Sequence, residues 1–314
     1  MQQNINYHEK LFNIVNNVER VIIGKREVIN LLICAFLCKG HVLIEDVPGV
    51  GKTSLASALA KSFSCSFKRI QFTPDVLPSD ITGFSMYNQK SGEFEYKEGA
   101  IMSNIVLADE INRASPKTQS SLLEVMEENQ VTVDGVTYPL EKPFIVLATQ
   151  NPVEYLGTYP LPEAQMDRFF MRIFVGYPKQ EDESQMLLRF KGANPLETLS
   201  AVMSTQDLIT LQNLVSEIFV SNEVSDYIVN LVRRTRENPN VILGGSPRAS
   251  LALFKAAQAH AFLNKRNFAN PDDVKKMILP TLEHRIFLKP EAKIKNITQN
   301  SIVLDALKSV KVPV

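Results

Sequence analysis

An apolar strand, a glycine-rich loop and an amphipathic helix follow one another between residues 41 and 62 of this chain. The strand has the sequence His-Val-Leu-Ile-Glu, and the loop with the start of the helix has the sequence Asp-Val-Pro-Gly-Val-Gly-Lys-Thr. This pattern is typical of a phosphate-binding loop, although Asp46 stands where the motif has its first glycine. No other feature constrains the fold as strongly, because such a loop lies between a strand and a helix of an α/β domain.

The residue types of the loop indicate its chemistry. Backbone N–H groups at the helix N-terminus can surround a phosphate, Lys52 can reach the β- and γ-phosphates, and the Thr53 hydroxyl can ligate Mg²⁺. Asp46 opens the loop and need not contact phosphate. An accidental Gly-Lys-Thr turn is the alternative interpretation.

Polar residues follow two later apolar strands. After residues 105–108, Asp109 would hold Mg²⁺ through its water shell and Glu110 would act as the general base, although an Asp-Glu pair alone is usually a solvated strand end. After residues 144–149, Asn151 would orient the water opposite the γ-phosphate. A turn-forming asparagine before Pro152 is the alternative for this position.

Strands and helices alternate along the first part of the chain, which predicts an α/β domain with a parallel sheet sandwiched by helices. Two hairpins interrupt the alternation, at about residues 84–98 and 130–142, and the second contains the tight-turn sequence Asp-Gly. Beyond Pro178 the pattern predicts helices only, including one at 270–288. We therefore expect an α/β domain at 1–195 and a smaller all-α domain at 196–314.

Composition excludes several classes of protein. The 34 basic and 34 acidic residues balance, so no global field attracts nucleic acid or anionic lipid. The longest unbroken apolar run, at residues 31–38, is far shorter than the roughly 20 residues of a membrane span. These features predict a cytoplasmic protein without membrane insertion and without a nucleic-acid partner.

Two of the three cysteines could form a metal site together with a histidine. Cys34, Cys38 and His41 have the spacing of one helical face, but they lie in or just after an apolar stretch without a fourth ligand nearby. Three cysteines are too few for a disulfide framework. Buried structural thiols are therefore the prediction.

The phosphate loop and several longer strings together resemble the MoxR family of AAA+ ATPases. The similarity covers about residues 20–290, and the strings lie at 109–119, 148–152, 157–169 and 245–249. The resemblance implies a P-loop AAA+ sheet followed by an all-α lid domain, with ATP and Mg²⁺ as ligands. It also implies a homo-oligomer, chiefly a hexamer, that acts as a chaperone-like ATPase on client proteins together with von Willebrand factor A domain partners.

The resemblance assigns roles to residues that their chemistry alone leaves open. Asn151 matches sensor 1, Arg168 matches the arginine finger that reaches the neighbouring subunit, and Arg248 matches sensor 2. The two hairpins resemble the helix-2 insert and the hairpin before sensor 1. From the residues alone, Arg168 could equally form a surface ion pair with Asp167, whereas Arg248 opposes a helix dipole unless an anion faces it.

The full set of candidate site residues combines both lines of reasoning. The catalytic candidates are Glu110, Asn151, Arg168 and Arg248. Thr53 and Asp109 are the candidate metal ligands. Gln71 ends its strand and is a candidate for coupling Glu110 to a bound partner. By family position residues 22–24 line the adenine pocket, although an apolar turn before a helix would have the same sequence pattern. The nucleotide-binding candidates are Ile22, Ile23, Gly24, Pro48, Gly49, Val50, Gly51, Lys52, Thr53, Ser54 and Asp109.

Two further functions compete with an ATP-driven remodelling factor. A nucleic-acid motor of the replicative helicase type has the same two hairpins, but it usually needs cations at their tips, where this chain has Asp134-Gly135 and a single Lys90 against Glu93. A nucleotide-binding switch without turnover would lack the base or the finger, and both are present.

Overall fold

The structure is a computed structural model that describes residues 2–152, 157–189 and 195–313. The helices are α1 Gln2–Glu19, α2 Arg26–Leu37, α3 Lys52–Ser62, α4 Pro78–Thr82, α5 Pro116–Glu128, α6 Glu163–Met166, α7 Gln180–Arg189, α8 Thr205–Ser216, α9 Asn222–Glu237, α10 Pro247–Leu263, α11 Pro271–Leu282, α12 Pro290–Ile294 and α13 Gln299–Ser309. The strands are β1 Val42–Glu45, β2 Phe67–Gln71, β3 Gly83–Asn88, β4 Glu93–Glu98, β5 Ile105–Asp109, β6 Gln130–Val133, β7 Val136–Pro139, β8 Ile145–Gln150, β9 Met171–Ile173, β10 Val241–Leu243 and β11 Phe287–Leu288.

A five-stranded parallel sheet in the order β2-β5-β8-β1-β9 confirms the predicted fold class. Every residue of β5 is buried, as expected for a central strand that helices cover on both faces. In the register of this sheet Gln71 pairs with Asp109, and Ala108 pairs with Ala148. The carboxyl ends of β2, β5 and β8 therefore lie at one edge, which is where open α/β sheets bind ligands.

The two predicted hairpins are present as antiparallel strand pairs. In the first hairpin, expected at about residues 84–98, β3 and β4 pair from Gly83 opposite Glu98 to Asn88 opposite Glu93. The rings of Tyr96 and Tyr138 stack with their centroids 4.0 Å apart. The two hairpins thus lie side by side through one aromatic contact.

The chain forms two compact units. Unit 1 consists of Met1–Asn30, Leu43–Leu161 and Phe174–Ile209. Unit 2 consists of Leu31–Val42, Pro162–Ile173 and Thr210–Val314. The boundary expected at residue 195 from the sequence stays a prediction, and residues 190–194 beside it are outside the described part of the chain.

Unit 2 contains the predicted helical lid with one addition. Asn270 caps α11 in a reciprocal capping box with Asp273, as the sequence indicates. The helix expected to continue to residue 288 instead ends at Leu282, shortly after Pro280, which cannot donate to the helix backbone. The following residues form β11, which pairs with β10, so the expectation of helices only beyond Pro178 is wrong at this point.

Cys34 in α2 and Cys38 directly after this helix lie in unit 2. Cys34 is fully buried, and burial raises the pKa of its thiol to about 12. This environment is that of a structural thiol, since metal ligation needs the thiolate. Among the residues that the structure describes, none of the helices has both the length and the apolar character that a bilayer span requires.

Candidate functional site

The phosphate loop leads directly into α3 through two glycines with left-handed backbone. Gly49 has φ 87° and Gly51 has φ 86°, values that side chains with a Cβ rarely adopt. Gly51 is the N-cap of α3, whose first N–H groups have no acceptor within the helix. Lys52 turns its Nζ back onto the loop, where it donates to the carbonyl oxygens of Asp46 at 2.9 Å and Val47 at 3.2 Å.

Asp46 anchors the start of this loop, which explains an aspartate in place of the motif's glycine. Its Oδ1 accepts from the N–H of Val47 at 2.9 Å, and its Oδ2 accepts from the N–H groups of Val175 at 2.7 Å and Gly176 at 2.5 Å. The backbone N–H of Asp46 also donates to the carbonyl of Gln150. No local sequence pattern indicates this role, because Val175 is far away along the chain.

Residues 22–24 follow α1 and lie against the loop and α7. Ile22 is buried, and a Cβ added to Gly51 would lie 3.5 Å from its Cδ1. Gly24 is exposed, and a Cβ added there would lie only 2.0 Å from Oδ2 of Asp182 in α7. The structure therefore places Ile22, an apolar candidate for the adenine pocket, next to the phosphate loop. Ile23, which follows it in the sequence, is half-buried.

Thr149 links the two acidic residues at the end of β5. Its hydroxyl donates to Oδ1 of Asp109 at 2.6 Å and accepts from the backbone N–H of Glu110 at 2.8 Å. Glu110 itself has φ 59°, a left-handed conformation that is uncommon for a residue with a side chain. This turn ends the strand and gives the two carboxylates different positions at the sheet edge.

Side chains from β2 bind both carboxylates. Arg69 donates to Oδ2 of Asp109 from Nε at 3.0 Å and from Nη2 at 2.6 Å. Gln71 donates from Nε2 to Oε2 of Glu110 at 2.9 Å, and it accepts from Arg69 Nη2 at 2.6 Å. Arg113 also donates to Oε2 of Glu110, at 3.1 Å. Gln71 therefore connects the environments of the two acids, and the contact of Arg69 with Asp109 was not predicted.

Two of the longer sequence strings pack against each other beside this edge. The N–H of Tyr159 donates to the carbonyl of Asn112 at 2.6 Å. Gln119 donates from Nε2 to the carbonyls of Ile111 at 3.1 Å and Tyr159 at 2.9 Å. Asn151, the sensor candidate after β8, is buried with 5% of its surface exposed.

The two arginine candidates lie in unit 2. Arg168 follows α6 and is half-buried, whereas Arg248 is exposed in the first turn of α10. Asp167 bonds through Oδ1 to Arg285 Nε at 2.8 Å and through Oδ2 to the Ser246 hydroxyl at 2.7 Å. The turn that carries Arg168 and the N-terminus of α10 are thus joined through Asp167.

The donor set of unit 1 fits Mg²⁺ bound together with a phosphate. Thr53 offers a hydroxyl in the first turn of α3, and Asp109 offers Oδ1, which accepts one hydrogen bond from Thr149 and keeps a second lone pair. Mg²⁺ prefers such oxygen ligands and usually takes only one or two of them from protein, together with substrate phosphates and water. Among the described residues no group of three or more His, Cys, Asp or Glu is arranged to hold a metal ion without substrate.

Comparison with known proteins identifies relatives along nearly the whole chain. Residues 41–171 match the family model of the ATPase family associated with various cellular activities (AAA), and residues 233–306 match that of the AAA lid domain. The uncharacterised Bacillus subtilis protein YeaC is 54% identical, over 98% of this chain and 96% of its own. The chaperone MoxR1 of Mycobacterium tuberculosis is 41% identical, over 94% of this chain and 80% of its own. The crystal structure of a candidate ATPase from Cytophaga hutchinsonii superposes with a TM-score of 0.93 at 40% identity, covering 100% of this chain and 98% of that one.

Proposed function

Since the chain belongs to the MoxR family of AAA+ ATPases, we propose that it binds ATP and hydrolyses it to ADP and phosphate. The observation that carries this proposal is the bonding of one hydroxyl, that of Thr149, to both Asp109 and the backbone of Glu110. Two acids held by one strand end, at the same edge as a phosphate loop, are what metal-assisted attack of water on a phosphate requires.

Binding of the nucleotide falls to the loop and α3. The backbone N–H groups of residues 49–54 surround the phosphates next to Pro48, Lys52 exchanges its bonds with the loop carbonyls for phosphate oxygens, and Ile22 contacts the adenine. Thr53 and Asp109 hold Mg²⁺. When bound, Mg²⁺ neutralises charge that develops on the phosphate oxygens.

Glu110 and Asn151 act in the hydrolysis step. Glu110 accepts a proton from the attacking water, and Asn151 orients that water from the end of β8. A carboxylate has about four lone-pair sites, so the donors Gln71 and Arg113 on Oε2 leave it able to accept a proton. The bond from Gln71 connects the base to β2, and a bound partner that displaces Gln71 would remove one hydrogen-bond donor from Glu110.

The remaining roles require more than one subunit. Arg168 supplies a cation to the γ-phosphate bound by a neighbouring copy, Arg248 contacts nucleotide as sensor 2, and the chain works as a homo-oligomer, chiefly a hexamer. We place this assembly in the cytoplasm, where it remodels or matures client proteins with von Willebrand factor A domain partners.

The surface of the first hairpin favours a polypeptide client over nucleic acid. Exposed apolar side chains lie along it, and they are Phe84, Met86, Tyr87 and Phe94, the last with 74% of its surface exposed. Acidic residues outnumber basic ones between positions 83 and 98. Binding of a polyanion needs cations among the aromatic residues, so the helicase interpretation is the weaker alternative.

A thermal-shift and phosphate-release experiment tests the proposal. Mg-ATP at 100 times its Kd should stabilise the protein by about 2.7 kcal/mol, and Lys52→Ala should abolish both the shift and turnover. Lys61→Ala is the matched control, because Lys61 lies on the same helix and donates to the carbonyl of Leu196 instead. The absence of a shift in the unmodified protein, or an undiminished shift in Lys52→Ala, would contradict the proposal.

A trapped complex tests the partner. Glu110→Gln should retain bound ATP, so a pull-down with this variant and Mg-ATP should enrich client and von Willebrand factor A domain proteins. The same pull-down with Lys52→Ala is the control, since that variant should not reach the ATP-bound state. Equal recovery with both variants would contradict an ATP-dependent interaction.

A further inference from the structure

We infer that Arg285, Asp167 and Ser246 form an anchor in unit 2 that positions Arg168 and the N-terminus of α10, which carries Arg248, as a single element. This inference rests on the proposed roles of the two arginines at nucleotide. Within it, Arg285, Asp167 and Ser246 are positioning residues that do not themselves contact ATP.

Most hydrogen bonds that Arg285 donates go to the turn that carries Arg168. Nε donates to Oδ1 of Asp167 at 2.8 Å, and Nη2 donates to the carbonyls of Asp167 at 3.3 Å and Phe169 at 2.7 Å. Nη1 donates to the carbonyl of Phe170 at 3.2 Å and to that of Thr281. Three of the four residues 167–170 are therefore bonded to one planar, rigid guanidinium, and they lie on both sides of Arg168.

The burial of this guanidinium indicates that it serves geometry more than stability. Arg285 is only 4% exposed, and burial lowers its pKa from the usual value, a direct sign of the cost of desolvation. Apolar residues of similar volume often replace a buried ion pair without loss of stability. What they cannot replace is the fixed set of directions in which a guanidinium donates.

Asp167 passes this constraint on to α10. Its Oδ2 accepts from the Ser246 hydroxyl at 2.7 Å, while the same hydroxyl oxygen accepts from the N–H of Ala249 and so caps α10. Arg248 lies between Ser246 and Ala249 in the first turn. Any shift of Asp167 therefore changes the cap of the helix turn that carries Arg248, and any shift of this turn acts on the residue next to Arg168.

Asp167→Asn is the direct test, because an amide at this position can still accept from Arg285 but cannot accept from Ser246 with its nitrogen. Displacing a catalytic group by about 1 Å can cost about 10²-fold in rate. We expect kcat to fall by roughly this factor at temperatures where the variant is folded, while the Kd for Mg-ATP stays close to that of the unmodified protein. The melting temperature should fall as well, because the substitution removes the counter-charge of the buried Arg285. Ser246→Ala should also lower kcat, and Ser246→Thr, which keeps the hydroxyl, should restore it.

Two comparisons separate positioning from simple loss of stability. Asp273→Asn disturbs another ion pair of unit 2, that with Arg266, and should lower the melting temperature without lowering kcat at temperatures where the protein is folded. In single-turnover measurements, adding Asp167→Asn to a variant that carries both Arg168→Ala and Arg248→Ala should cause no further loss of rate. A structural defect would instead lower the rate further in that background.

The measurements distinguish an error in the proposed roles of the arginines from an error in the inference about the anchor. If Arg168→Ala and Arg248→Ala both hydrolyse ATP as fast as the unmodified protein, the proposed roles of the two arginines are wrong and the anchor has nothing to position. If Arg168→Ala is impaired but Asp167→Asn and Ser246→Ala keep full kcat, the inference about the anchor is wrong while the role of Arg168 stands.

Discussion

Unit 1 and unit 2 pair their charged residues in different ways. In unit 1, the arginines that contact Asp109 and Glu110 keep 46% and 42% of their side-chain surface exposed. In unit 2, each of two ion pairs has an almost fully buried member, Arg285 with 3% of its side chain exposed and Asp273 with 1%. The first arrangement lets the arginines move away from the acids at little cost, whereas the second fixes its members in place.

This difference indicates that the charged residues of unit 1 take part in the reaction, whereas the buried ion pairs of unit 2 keep other residues in position. Exposed partners suit carboxylates that must exchange hydrogen bonds during turnover, as we propose for Asp109 and Glu110. Buried pairs suit a unit whose task is to present Arg168 and Arg248 at fixed positions. Substitutions in unit 1 should therefore act on rate, whereas those in unit 2 should separate into rate and stability according to their distance from the arginines.

Arg168→Ala should have the largest effect. Removing a cation from the transition state of phosphoryl transfer should lower hydrolysis about 10³–10⁵-fold. Stability should hardly change, since an exposed or half-exposed arginine contributes about 0–1 kcal/mol through an ion pair. Steady-state phosphate release and the Mg-ATP thermal shift measure the two quantities. A parallel loss of ATP binding and rate would place Arg168 in ground-state binding instead.

Glu110→Gln should have the next largest effect. The amide keeps the shape of the side chain but cannot take a proton from water, so turnover should fall about 10²–10⁴-fold while ATP stays bound. Glu128→Gln, at the end of α5, is the control and should leave the rate unchanged. If Glu110→Gln loses binding to the same extent as turnover, Glu110 has a structural role.

Asp273→Asn should act on stability alone. Burial raises the pKa of Asp273, but hydrogen bonds from His260, Arg266 and the backbone of Asn270 outweigh it and lower the pKa to about 2. Relative to about 3.9 in the unfolded chain, this shift corresponds to about 2–3 kcal/mol of unfolding free energy above pH ~4. That contribution should be lost progressively as the pH falls through about 2.

Urea unfolding at several pH values measures this effect. The unmodified protein should exceed Asp273→Asn in unfolding free energy at pH 7, and the difference should shrink below about pH 4. Asp272→Asn is the matched control, because the neighbouring Asp272 is largely exposed and pairs with Lys275 within one helical turn. A difference that grows as the pH falls would contradict the assignment to Asp273.

The sequence predicted unit 1 well because its features are local. The loop, the Asp109-Glu110 strand end and the Asp-Gly turn of the second hairpin are short patterns whose structure depends on neighbouring residues. Parallel pairing then brings the strand ends to one edge regardless of loop details. The polar end of β2 could also be recognised, since Gln71 ends a predicted strand, and the structure bonds it to Glu110.

The missed features depend on contacts between distant segments. Asp46 bonds to Val175, and Arg285 bonds to Asp167, in both cases more than 100 residues away. Periodicity also cannot distinguish a helix from a strand in a short apolar run, which is why β11 was expected to be helical. The sequence around Arg285 does not indicate its role, because Glu283 and His284 precede it and such a polar run is also typical of an exposed turn.

Mixing two inactive variants tests most directly whether the active site is completed by a neighbouring subunit. Lys52→Ala has a damaged loop with an intact Arg168, and Arg168→Ala has the reverse. In a mixed assembly, verified by co-purification of differently tagged copies, some interfaces pair an intact loop with an intact arginine. We predict that the mixture hydrolyses ATP well above either variant alone. If mixed assemblies form and the rate stays at the level of the separate variants, Arg168 does not act on the neighbouring site.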